Sequence, residues 1–98
     1  MSQVRIGDTV ALRADFEKGA FPGEYIVAFP SIEGPVSGFV KEPSAVLKEG
    51  DNVFLVGTVT EINGPTLTLF VRGSFFTNAG YIKLDGEQFE RALVKVFA

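Results

Sequence analysis

The side chains that most often carry catalysis at neutral pH are missing from this chain of 98 residues, which has no histidine and no cysteine. Without imidazole there is no proton shuttle near pH 7, no Ser-His pair and no nitrogen ligand for zinc. Without thiols there is neither a sulfur nucleophile nor a disulfide. The serines therefore lack a base. Carboxylates are numerous but scattered, and no pair has a spacing that sets it in one cleft. Glu42, Glu49 and Asp51 crowd one loop, yet their spacing matches no established calcium loop, so they read as a solvated acidic turn. Gly34 to Gly38 opens no helix and is not a phosphate cradle. The expectation is a non-catalytic binding module with no catalytic residue, no cofactor and no metal.

Aromatic and cationic side chains remain. Ten phenylalanines stand against two tyrosines and no tryptophan, so most rings lack a polar handle and favour dry packing. The sharpest constellation is Gly57, Thr68, Phe70 and Arg72, which a hairpin register derived below sets on one face. A glycine opposite a phenylalanine leaves a shelf on which the ring lies flat. An exposed ring stacks a nucleic-acid base for about 1 to 3 kcal/mol, and a neighbouring guanidinium adds phosphate or cation-π attraction. In the competing reading Phe70 covers the glycine backbone and packs under a loop or the tail. Phe75-Phe76 is a second candidate, because adjacent strand residues point to opposite faces and one ring is left for a partner. Lys41, with Lys48 and Arg13, is placed to flank a ligand groove. Phe21, Tyr25 and Phe29 read as core.

These residues need elements to hold them. Thr9 to Phe16 alternates strictly, with Val10, Leu12, Ala14 and Phe16 on one face. A Gly- and Pro-containing loop follows, then strands over Glu24 to Phe29 and Val36 to Val40. Ser44 is a candidate cap for one helical turn holding Ala45, Val46 and Leu47. Val53 to Ile62 and Thr66 to Ser74 surround Asn63-Gly64, the strongest short-range hairpin signal in the chain. Placing the turn there sets Glu61 opposite Thr66, Val59 opposite Thr68, Gly57 opposite Phe70 and Leu55 opposite Arg72. Phe54, Val56 and Ile62 with Leu67, Leu69 and Val71 become the core side. Tyr81 to Leu84 is a short strand. In the tail, Asp85 and Gln88 form a capping-box pattern, and Phe89, Leu93, Val96 and Phe97 keep helical spacing. The valine-rich run Leu93 to Phe97 keeps a final strand open as the alternative.

Length allows one domain over residues 1–98. Short strands with tight turns predict a mainly β fold, a small five- to six-stranded antiparallel barrel with a short C-terminal helix. An OB-like topology and a Src-homology-three-like one are both open. The middle of the chain resembles the ribosomal S-one RNA-binding repeat, an OB-fold. The similarity lies in Glu33-Gly34, then Gly38-Phe39-Val40, then the run Pro43 to Val53. It covers about forty residues if the hairpin is included, and a similar run links the third and fourth strands of that family. Lys41 stands where the family usually has histidine, and the tail from Ser74 onward has no clear match. The resemblance implies single-stranded RNA as a partner. The net charge of −3 has the wrong sign for gripping phosphates by electrostatics alone, which keeps a protein partner bound through an exposed aromatic patch as the alternative. No apolar run reaches the roughly 18 residues of a membrane span, and the expected location is the cytoplasm.

Overall fold

Runs of alternating apolar and polar residues become strands along most of the chain. The computed structural model describes residues 4–41, 46–71, 74–75 and 80–97, with the backbone alone for Lys41, Ser74 and Phe75. In chain order the elements are β1 (Thr9–Leu12), β2 (Asp15–Lys18), β3 (Glu24–Phe29), β4 (Val36–Lys41), β5 (Val46–Glu49), β6 (Asn52–Asn63), β7 (Thr66–Phe70), β8 (Ser74–Phe75), β9 (Tyr81–Asp85), α1 (Gly86–Ala92) and β10 (Leu93–Phe97). One antiparallel sheet has the order β10-β1-β6-β7-β9, with β5 added beside the first residues of β6. The second, also antiparallel, has the order β2-β3-β4-β8.

The two sheets and the helix share one core. Val10, Leu12, Leu55, Leu69 and Leu84 of the large sheet, Val27 and Val40 of the small sheet, and Phe89 of α1 are all 0 % exposed and fall in a single cluster. Burial of each such side chain is worth about 1.5 to 3 kcal/mol, which is what holds the sheets face to face.

The expected closed barrel is narrowed by this arrangement. The described strands form two antiparallel sheets and no closed barrel. The chain passes from the large sheet to the small one between β1 and β2 and between β7 and β8, returns between β4 and β5 and between β8 and β9, and each sheet keeps two end strands. The predicted strand over Thr9 to Phe16 is accordingly split at Arg13-Ala14. Its inward face survives the break, since Ala14 and Phe16 pack on the same core as Val10 and Leu12.

Two local expectations change. Ser44 and Ala45 lie outside the described residues, but Val46 and Leu47, expected in the helical turn that Ser44 would cap, belong to β5 and pair with Leu55 and Phe54. The buried ladder partner outweighs a one-turn helix, which has a costly nucleus and few bonds of its own. In the tail, helix and strand both form, one after the other. The Asp85 carboxylate accepts from the Gln88 N–H at 2.7 Å while the Gln88 side-chain oxygen accepts from the Asp85 N–H at 3.2 Å, so the capping box is complete. The helix ends at Ala92, and Leu93–Phe97 then pairs with β1, with Val10 opposite Val96 and Leu12 opposite Leu93.

Candidate functional site

The hairpin that should carry the site forms, in a different register. Thr58, rather than Gly57, lies opposite Phe70, and Asn63, rather than Glu61, lies opposite Thr66. Two features cause the shift. The turn sits on Gly64, at φ 62°, and Pro65, so both strands run one residue further than a turn centred on Asn63-Gly64 allows, a register change of two that keeps the faces until the bulge reduces it to one. The ladder then skips a residue between Val59 and Glu61, a bulge at Thr60. A one-residue slip exchanges the two faces of a strand. Leu55, Gly57 and Val59 therefore point into the core, and Phe54 and Val56 do not belong to it. Leu67, Leu69 and Val71 are buried as expected, and Ile62 packs against them from beyond the bulge.

Gly57 is thus a core position rather than half of an outer shelf. A Cβ there would stand 3.2 Å from Val71 Cγ2 and 3.3 Å from the Phe70 carbonyl oxygen, so the absence of a side chain lets β7 approach β6 closely. The Phe70 ring does lie against a glycine, but the glycine is Gly80. An ideal Cβ on Gly80 would be 3.3 Å from Phe70 Cε1 and 2.7 Å from the Val71 carbonyl oxygen, at a φ of +93°. The Val71 N–H donates to the Gly80 carbonyl at 2.9 Å and ties the entry of β9 to the end of β7.

With the observed registers, one row crosses the outer face of the large sheet. Phe97 pairs with Thr9, Thr9 with Thr58, Thr58 with Phe70 and Phe70 with Tyr81. Four strand spacings make this row about 19 Å long. The Phe70 and Tyr81 ring centroids are 5.1 Å apart with planes tilted by 54°. Tyr81 is 44 % exposed. Thr9, Thr58, Phe70 and Phe97 are half-buried. A shallow depression of about 420 Å³ lies between the rings and the hydroxyls, bordered by Thr9, Val56, Gly57, Thr58, Thr60, Phe70 and Tyr81.

Two lysines flank the row. Lys83 shares the next row with Thr68 and Glu61 and reaches the Glu33 carboxylate at 4.0 Å. Lys95 sits over the Phe97 ring, 5.2 Å from its centroid. Thr68 is held in place through its backbone, whose carbonyl accepts from Thr60 Oγ1 at 3.3 Å. Flat apolar rings, neutral hydroxyls and a cation at either end suit a ligand that is planar, partly polar and singly charged at intervals.

Gly57 and Phe70 both border the depression, Gly57 through its backbone and not as an outward shelf, while Thr68 lies one row away between Glu61 and Lys83. Lys41 ends β4 and pairs with Glu24, and Phe75 pairs with Gly38, so both belong to the small sheet and not to this face. Arg72 and Phe76 lie outside the described residues. Tyr81, Thr58, Thr9 and Phe97 were not singled out by sequence reasoning. Tyr81 carried a signal, as one of two tyrosines in a phenylalanine-rich chain at the start of a strand. Phe97 depended on the strand alternative for the tail. Among the described residues no group of three or more acidic side chains is placed to hold a metal ion. Compared with known protein families, curated proteins and solved structures, the chain matches none.

Proposed function

We propose that this chain is a non-catalytic module that binds single-stranded nucleic acid by stacking bases on Phe70 and Tyr81. The observation that carries the reading is the half-exposed ring pair at the β9 end of a neutral, threonine-lined row. Bases present a π-face whatever their sequence, and threonine hydroxyls both donate and accept toward base edges.

The fold reading goes with it. We take the two sheets as halves of a partly open OB-like barrel, because β1 with β2 and β7 with β8 each carry the chain from one sheet to the other around a shared core. That reading agrees with the resemblance of the central residues to the S-one repeat. The ligand face proposed here lies on β6, β7 and β9.

Fluorescence polarisation with a labelled oligo-uridine of about eight residues, at low salt, tests the proposal. Saturable binding is expected, weakened about tenfold by Phe70→Ala. Absence of binding at low salt contradicts it.

A further inference from the structure

A second recognition feature lies on the small sheet, away from the aromatic row. β2 is an end strand whose ladder partner is β3, so one side of its backbone has unpaired N–H and C=O groups among the described residues. The end strand β9 differs, since the Ile32 N–H already donates to the Lys83 carbonyl at 3.0 Å. Alongside β2 runs a groove made of two adjoining cavities, about 430 and 340 Å³, that share Ala14, Asp15, Asn52 and Val53. The groove separates β2 from the first residues of β6.

We propose that the open edge of β2 takes an extended peptide with basic residues at alternate positions, added as a further strand. Two observations name the occupant. Asp15 and Glu17 are exposed, stand on the same outward face and pair across β3 with Ala28 and Ile26, so neither is neutralised by its ladder partner. Neither forms an ion pair among the described residues. An added strand presents side chains opposite them at i and i+2, where lysine or arginine is favoured and acids are disfavoured. The residue between those two turns to the inner side beside Phe16, which is partly buried with its ring edge-on to Tyr25 at 5.9 Å, so that position is apolar.

The same charges exclude the other occupants. If β2 of a second copy paired here about a two-fold axis normal to the sheet, outward residues would meet outward residues. Asp15 would face Glu17, or Glu17 would face itself, which is repulsive. A nucleic acid offers no amide ladder and is repelled by the same acids.

The probe is a fluorescein-labelled heptapeptide, threonine-valine-lysine-valine-arginine-valine-threonine, read by polarisation against the full chain. Saturable binding is expected. Reversal of both charges, Asp15→Lys with Glu17→Lys, weakens it about tenfold and gives binding to the peptide with glutamate in place of both basic residues. Circular dichroism of the double variant verifies that these exposed substitutions leave the fold intact. Two further peptides, N-methylated on one or the other alternate set of amides, must differ, because one set faces β2 and the other faces solvent. No saturable binding, an unchanged preference in the reversed variant, or equal effects from both methylated sets overturns the proposal.

Discussion

Phe70 and Tyr81 face each other across β7 and β9, their ring centroids 5.1 Å apart, on a sheet surface whose other central residues are threonines. The pair is held from both sides. Phe70 rests on Gly80, whose bare Cα leaves room for the ring, and the Val71 N–H bond to the Gly80 carbonyl fixes the start of β9, which carries Tyr81. Offset or tilted rings at this spacing gain about 0.5 to 1.5 kcal/mol beyond their burial. The ring pair is therefore a preformed surface that costs little further ordering when a planar ligand arrives.

The two glycines of this region are expected to tolerate substitution differently. Gly57→Ala brings a Cβ to 3.2 Å from a valine methyl, which can shift by a few tenths of an ångström, so a loss of about 1 kcal/mol is expected. Gly80→Ala combines positive φ with a 2.7 Å approach to a backbone oxygen, and about 3 kcal/mol is expected. Urea unfolding of both variants measures the order. Equal losses would mean that Gly80 is not the support of the ring pair.

Asp85 begins α1 with a reciprocal cap, and the Gln88 side chain also donates to the Ser31 carbonyl at 3.2 Å, linking the helix to the loop before β4. Asp85→Ala removes the acceptor for the Gln88 N–H and is expected to cost about 1 kcal/mol by urea unfolding. Gln88→Ala breaks the cap and the loop contact together and is expected to cost at least as much.

Salt dependence separates base stacking from phosphate gripping. Lys83 and Lys95 are the cations described on the outer face of the large sheet, and Lys83 is shared with Glu33. At about −0.7 per phosphate contact on a single strand, the slope of log K against log salt should fall between about −0.7 and −1.4. A slope several times steeper would assign the affinity to cations elsewhere.

The strands were legible in the sequence because they keep period-two alternation, and the cap at Asp85 because its two members sit three apart. The hairpin was legible as a hairpin but not in its register. Nothing in the residue types of Val59-Thr60-Glu61 marks Thr60 as the unpaired one, and that single residue puts Gly57 and Phe70 on opposite faces. β5 was hidden because Val46 and Leu47 suit a helical turn or a strand equally, and the choice falls to Leu55 and Phe54, which pair with them. Phe70 was singled out on a pairing with Gly57 that the structure replaces with Thr58. Its partner Tyr81 was not, since only the ladder between β7 and β9 brings the two rings together.

The most direct measurement follows from the scarcity of fluorophores, since Tyr25 and Tyr81 are the two tyrosines and there is no tryptophan. In a Tyr25→Phe background, Tyr81 alone reports at tyrosine wavelengths. Titration with oligo-uridine should quench its emission saturably, and Phe70→Ala should shift the midpoint about tenfold to higher concentration. Tyr81 emission that stays constant while the same oligonucleotide binds, or oligonucleotide that does not bind at all, would contradict the assignment of this surface.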